Sequence, residues 1–220
     1  MSNNYGPKIV TDGLVLCLDA ADQNSYSGSG NTWYDLSGNG NNGTLKNSPT
    51  FNSNGYFTFN SSNSRWVELD TALSLSGAFT MTCFFTKANS TDSRSFLGKT
   101  TGVTTGTKII FLSNDDFFMR MVDGDTPTIF DIGYDSSMNN SWHFVAAVRT
   151  STNVCKASLD GGNLVTGATL TGTFAPNAIA RNFASQYWDG NFADMKIYNR
   201  ELSLDEIQQN YNATKGRFGL

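Results

Sequence analysis

The chain has 220 residues, a net charge of −4 and only 15% charged residues, and its 15 Lys and Arg are scattered with no basic run. That distribution excludes a phosphate-gripping surface, so no nucleic-acid partner is expected. Aromatics at 13% beside 21 Gly exclude disorder, which goes with few aromatics and high net charge, and point to short strands joined by polar turns in one domain of common size.

Residues 1–12 read as an extended N-terminal arm able to order on a partner. They lack a basic stretch followed by an apolar one, so no signal peptide is expected, and no apolar run is long enough to cross a membrane. Gly13-Leu14-Val15-Leu16-Cys17-Leu18-Asp19 is a near-continuous apolar strand covered on both faces. A Ser/Gly-rich loop leads into Trp33-Tyr34-Asp35-Leu36-Ser37-Gly38-Asn39-Gly40-Asn41-Asn42-Gly43-Thr44-Leu45. Gly and Asn tolerate the left-handed backbone region, so this stretch is expected to coil tightly rather than form a strand or helix. Two readings stand side by side. Inward carbonyls with Asp35 and Asn39 offer the oxygen ligands Ca²⁺ prefers, or the loop only joins two strands.

Short strands follow at 56–59 and 65–69. Phe79-Thr80-Met81-Thr82-Cys83-Phe84-Phe85-Thr86-Lys87 has the period-two pattern of a strand with one face on a core. Strands are expected at 95–98, 108–112, 117–122 and 128–133. Trp142-His143-Phe144-Val145-Ala146-Ala147-Val148-Arg149 is apolar on both parities and reads as a central strand buried on both faces. Residues 154–159 run into the hairpin-turn composition Asp160-Gly161-Gly162-Asn163, and strands at 179–183 and 191–198 close the series. One helix is expected after Ser203, with Glu206 completing a capping box, Leu202 and Ile207 as a staple, and a stripe of Leu204, Ile207 and Tyr211. Gly216 is expected to end it. Cys17, Cys83 and Cys155 each sit in an apolar run and read as buried, reduced thiols, a pattern that fits assembly in a reducing cytosol.

With these elements in place, three motifs resemble the laminin-G-like/concanavalin A-like jelly-roll superfamily. They are Trp33-x-Asp35-x-Ser37-Gly38-Asn39-Gly40-Asn41-x-Gly43-Thr44-Leu45, then Trp142 to Arg149 with the Leu159-Asp160-Gly161 that follows, and Gly190-x-Phe192-Ala193-Asp194-Met195-Lys196-Ile197-Tyr198-Asn199-Arg200-x-Leu202-Ser203-x-Asp205-Glu206-Ile207. The resemblance implies an all-β fold, a two-sheet antiparallel jelly-roll sandwich over residues 13–220 with one short C-terminal helix. It also implies frequent Ca²⁺ and glycan binding among relatives, a minority of which are glycanases. More loosely, residues 6–20 resemble the start of such proteins carried by tailed, notably marine, bacteriophages.

Fold kinship leaves function to be argued from the site. Glycoside hydrolysis needs a spaced carboxyl pair, and the chain has only three Glu, at 68, 201 and 206, with no paired-Glu strand. Asp115-Asp116 and Asp123/Asp125 sit in turn-like contexts where Asp is expected anyway. His143 is the one histidine and reads as structural. In the resemblance Asp194 lies near the Gly/Asn loop; by parity it shares a strand side with Phe192 and Tyr198, and it either ligates Ca²⁺ with Asp35 and Asn39 or hydrogen-bonds loop N–H groups directly. For stacking a sugar, Trp66 and the polar-loop trio Tyr187, Trp188 and Asp189 are the candidates, with Trp33, Tyr34 and Tyr134 also considered; Trp33 and Trp142 read as core. The resulting expectation is a non-catalytic decoration or adhesion protein on a phage virion, capsid or tail, assembled in the host cytoplasm. It would contact other virion proteins and cell-surface glycans, with a homo-oligomer left open. The alternative is a carbohydrate-binding module of a bacterial secreted enzyme, or the glycanase itself.

Overall fold

A computed structural model describes residues 8–89, 94–100, 109–113, 116–120, 128–182 and 186–220. The strands in chain order are β1 (Leu14–Asp19), β2 (Thr32–Trp33), β3 (Gly43–Lys46), β4 (Thr50–Asn52), β5 (Tyr56–Phe59), β6 (Trp66–Leu69), β7 (Phe79–Lys87), β8 (Arg94–Gly98) and β9 (Ile109–Ser113). They continue with β10 (Asp116–Arg120), β11 (Thr128–Phe130), β12 (His143–Arg149), β13 (Val154–Leu159), β14 (Val165–Thr169), β15 (Ala178–Ile179), β16 (Gly190–Phe192) and β17 (Asp194–Tyr198). Among the described residues they form two antiparallel sheets. One runs β14-β13-β12-β7-β16-β5-β4, with β17 pairing β7 and β1 pairing β17; the other runs β11-β10-β9-β8-β15-β6-β3-β2. The sandwich expected from the sequence is the fold observed, with α1 (Leu204–Thr214) as its one α-helix among the described residues.

The alternation in β7 explains the core. Phe79, Met81, Cys83 and Phe85 face the space between the sheets, while Phe84 joins a second apolar cluster with Phe144, Ala146, Val148, Tyr198, Leu202 and Ile207 under α1. β7 is therefore buried along its whole length, on two faces rather than the one its Thr-rich parity suggested. Thr80 makes this possible, since its Oγ1 donates to Arg200 O at 2.9 Å and accepts from Leu202 N at 2.9 Å. In β12, Val145 and Ala147 take the inner side and Phe144, Ala146 and Val148 the outer one, the two-sided burial its sequence predicts.

The expected continuous strand at 191–198 is broken by a bulge. Phe192 pairs with Phe85, yet Lys196 pairs with Thr82, which leaves one extra residue on the 190–198 side. The break flips the parity, so Phe192 lies in the inner core with Met195 and Ile197, whereas Ala193 lies with Tyr198 in the outer cluster. The grouping of Asp194 with Phe192 is thus corrected. The carboxylate fills the gap left in the ladder, where Asp194 Oδ1 accepts Phe84 N at 2.8 Å.

The capping box is present at α1: Glu206 N donates to Ser203 Oγ at 3.3 Å and Ser203 N donates to Glu206 Oε2 at 2.9 Å. Its buried residues are Ile207, Asn210 and Thr214, with Leu204 and Tyr211 half-buried. Gly216 does not end the chain's helical run. A 3₁₀ turn (Lys215–Phe218) follows α1, and Gly219 at φ 73° takes the left-handed position instead. Residues 1–7 of the expected arm lie outside the described residues. Its remainder is docked: Val10 N donates to Asn210 Oδ1 at 2.9 Å and Tyr198 OH to Val10 O at 3.0 Å. Cys17, Cys83 and Cys155 are buried thiols. Burial pushes Cys155 up to about 11 and holds Cys83 well above the usual thiol range.

Candidate functional site

The Gly/Asn stretch is a hairpin. Thr32 pairs with Thr44 and Trp33 with Gly43, so its two ends are strands and only residues 34–42 form the loop. Gly43 is required there because a Cβ would run into the Val67 side chain on β6. Asp35 organises the loop: Oδ1 accepts Cys17 N at 2.8 Å and Ser37 N at 2.9 Å, and Oδ2 accepts Ser37 Oγ at 2.7 Å and Asn41 N at 3.0 Å. Asn39 Nδ2 donates to Leu14 O at 3.2 Å and Ser37 Oγ at 2.9 Å, and Asn41 Nδ2 to Val15 O at 2.8 Å. The loop is thereby tied to β1.

This arrangement does not fit a Ca²⁺ cage. A useful site gathers six to eight oxygens, whereas both Asp35 oxygens already face N–H and O–H donors. Asp194 is not brought to the loop, since its second oxygen pairs with the buried Lys196 ammonium. Burial would lower the Lys196 pKa, but the Asp194 carboxylate outweighs that and holds it above the ordinary lysine value. Among the described residues no three His, Cys, Asp or Glu side chains are grouped to hold a metal. Of the two readings for Asp194, the structure places it in neither: it is brought neither to Asp35 and Asn39 nor to the loop N–H groups, and its carboxylate holds Phe84 N and the Lys196 ammonium. Cys17, opposite Lys196 on β1, is raised to about 12, chiefly by burial, with Lys196 opposing the rise.

The sugar-stacking candidates are also redirected. Trp188 is 0% exposed. Its ring packs on Phe96 at 4.4 Å and Phe192 at 4.7 Å, and its Nε1 donates to Thr86 O at 3.0 Å. The polar neighbours that suggested an exposed loop surround a residue anchored in the core. Trp66 is 7% exposed, and the Arg181 guanidinium lies over its ring at 4.6 Å and over the half-buried Tyr187 ring at 5.2 Å. Asp189 accepts Ser61 N at 2.8 Å, Ser61 Oγ at 2.7 Å and Arg94 Nη2 at 3.1 Å, which pins the turn at 61–63. Tyr134 is buried and Trp33 is core, while Tyr34 is 51% exposed.

Among the described residues, a surface feature with the chemistry of a binding site lies elsewhere, where the inner core and the outer cluster meet at the β4–β5 edge. An open groove of about 720 Å³ is lined by aromatic groups, Tyr26 and Phe51 in one set and Tyr56, Trp142 and Phe218 in another. Trp142 and Phe218 stack at 4.1 Å, Tyr56 meets Trp142 edge-on at 5.3 Å, and Tyr26 packs on Phe51 at 4.9 Å. Gln23, Ser27, Ser53 and Asn54 are exposed along it. Arg217 is fixed in place, donating through Nη1 to both Asp19 oxygens at 2.8 and 3.0 Å and through Nη2 to Gly55 O at 2.9 Å. Gly55, at φ 82°, admits no side chain because a Cβ would meet Ala21. Sequence reasoning missed this groove. The parity of Tyr56-Phe57-Thr58-Phe59 held a signal: Phe57 and Phe59 point into the core, so Tyr56 must point out.

Catalytic candidates are dispersed. Glu68 pairs with Lys46 at 2.6 Å, Glu201 accepts Ser151 N at 3.0 Å, and Glu206 pairs with Arg200 at 2.6 Å. Asp116 lies on β10, while Asp115, Asp123 and Asp125 are outside the described residues. His143 Nδ1 sits 2.8 Å from Asp160 Oδ2, with its ring beside Phe85 and Tyr134. Asp160 and Gly161 take positive φ (50° and 69°) in the expected hairpin turn, and Asp160 Oδ1 accepts Phe144 N at 2.7 Å.

A family model described as the concanavalin A-like lectin/glucanases superfamily matches residues 51–208, and the chain belongs to that superfamily. No curated protein sequence matches it. Among solved structures, the binding domain of botulinum neurotoxin serotype D superposes with a TM-score of 0.70 at 16% identity, covering 93% of this chain and 53% of that one. A botulinum neurotoxin type C structure, whose cell entry is described as dependent upon interaction with two ganglioside molecules, gives 0.67 at 17% identity, covering 92% and 51%. The Trypanosoma rangeli sialidase gives 0.66 at 14% identity, covering 93% and 33%. At these identities the likeness is one of fold, and this chain spans about half or a third of the length of those structures.

Proposed function

We propose that this member of the concanavalin A-like lectin/glucanases superfamily is a non-catalytic carbohydrate-binding module, and that the groove beside Trp142 is its site. The observation that carries this reading is the pairing of half-buried aromatic rings, Tyr56, Trp142 and Phe218, with the exposed amides and hydroxyls of Gln23, Asn54, Ser27 and Ser53. A pyranose ring has an apolar face that suits the former and hydroxyls that suit the latter. Among the described residues neither Asp nor Glu lines the groove, so a bound sugar would meet no acid–base pair from them. Toxin binding domains and a sialidase that share the fold support the reading as analogy.

In this proposal the module works as an adhesion or decoration protein on the surface of a tailed phage particle, held by other virion proteins and touching cell-surface glycans. The sole support for that setting is the likeness of residues 6–20. Screening the whole chain on a glycan array, with a reducing-sugar assay on every glycan retained, tests both halves. Binding without cleavage is the expected result. Cleavage abolished by Glu68→Gln or Asp116→Asn would replace the module with a glycanase, and a chain that binds no glycan but co-purifies with a capsid or tail protein would leave a purely structural role.

A further inference from the structure

We infer that the groove selects uncharged saccharides over sialylated or uronic-acid ones; this rests on the glycan-binding reading above. Among the described residues, Arg217 is the one charged side chain that lines the groove. A guanidinium in a sugar site ordinarily recognises a carboxylate through two parallel N–H···O bonds. Here the Nη1–Nη2 end of that fork is already engaged. Nη1 is turned onto both oxygens of Asp19, and Nη2 holds Gly55 O. Asp19 is itself held, since its Oδ1 also accepts Ala21 N at 2.9 Å. The pair presents no net charge, so an acidic sugar entering the groove would meet no unpaired cation among the described lining residues. The remaining polar groups, Gln23, Ser27, Ser53 and Asn54, are neutral and match hydroxyls or N-acetyl groups. The groove's volume of about 720 Å³ is within the range of about 300–1,000 Å³ for small-ligand sites, which gives room for a short oligosaccharide.

The test titrates the full chain with neutral oligosaccharides of glucose, galactose, mannose and N-acetylglucosamine, and with their sialylated and uronic-acid counterparts, by calorimetry. The expected result is binding of at least one neutral glycan about tenfold or more tighter than its acidic counterpart, equivalent to about 1.4 kcal/mol. That affinity should hold between about 0.01 M and about 1 M salt, across which the Debye length falls from about 30 Å to about 3 Å. Asp19→Asn, which frees the Arg217 charge, should narrow or reverse the preference. Equal or tighter binding of acidic glycans, or an affinity that collapses with salt, overturns the charge selection while leaving the glycan-binding reading intact. Binding of no glycan at all overturns both. The salt titration needs no variant, so the inference stays testable even where Asp19→Asn fails to fold.

Discussion

Around Asp35, polar groups turn inward. Its carboxylate accepts four donors from the loop and β1, and Asn39 and Asn41 spend their amides on β1 carbonyls. Along the groove, polar groups turn outward, since Gln23, Ser53 and Asn54 are exposed beside half-buried rings. Both regions are rich in Asn, Ser and Gly, so composition does not separate them. What separates them is whether the fold has already satisfied the hydrogen-bonding groups, because a group whose partners are internal has little to offer a ligand. The loop and Asp194 are the conspicuous motifs and hold the sandwich together. The groove is assembled from residues 20–28, 51–56, 142 and 217–218, far apart in sequence, and its polar side chains face solvent.

This contrast is most sharply broken at Asp194. Asp194→Ala leaves the Lys196 ammonium buried and unanswered and strips Phe84 N of its acceptor. The expected cost is about 3–5 kcal/mol, read by urea denaturation, whereas Asp194→Ala with Lys196→Met should recover much of it. A loss below about 1 kcal/mol would mean that the pair is solvated and the strand break is held by other contacts. Asp35→Ala comes next. It removes a charged acceptor from four donors, with an expected loss of about 2–3 kcal/mol, while glycan affinity at the groove stays unchanged. Chelator should leave the melting temperature of the unmodified chain where it is; a drop would restore the calcium reading of the loop.

Tyr56→Ala works in the opposite sense. Tyr56 is half-buried and its ring meets Trp142 edge-on. Binding should fall about tenfold, or about 1.4 kcal/mol, with a smaller change in stability than at Asp194 or Asp35. Equal losses of stability and affinity would indicate that the ring is a core residue and that the groove is not the site.

Much of the sandwich was legible because period-two alternation and turn chemistry are local. The capping box at Ser203 and Glu206 could be read from four residues, and the two-sided burial of β12 from eight. What escaped depended on non-local facts. The bulge at Ala193 is set by register against β7, and a single extra residue reversed the face assigned to Phe192. Trp188 sat among polar neighbours in sequence, yet it is enclosed by Phe85, Phe96 and Phe192 from three other strands. Trp142 reads as core from the sequence, and it is half-buried against the outer cluster just outside β12, where Phe218 from the far end of the chain stacks on it. No window of sequence contains that contact.

The smallest expected effect concerns pH, and it distinguishes the two regions without touching either directly. The Arg200 guanidinium, hydrogen-bonded to Glu206, and the Ser203 N–H lower the Glu206 pKa from its ordinary value of 4.5 to about 2, against the opposing pull of burial. A depressed carboxylate contributes stability that is fully present above the unfolded value and is lost as pH falls from about 4.5 towards 2. Because the pair is still partly open to solvent, that contribution is modest and screened by salt. Its position matters more than its size, since Glu206 caps the helix whose continuation carries Arg217 and Phe218 into the groove. Acidification through that window should therefore weaken glycan binding, measured by calorimetry, more in the unmodified chain than in Glu206→Gln. The variant lacks the titrating group and should begin with a looser cap at neutral pH. Identical acid profiles for the two chains would show that the cap does not hold the groove wall, and that Phe218 is positioned by its packing on Trp142 and Phe84.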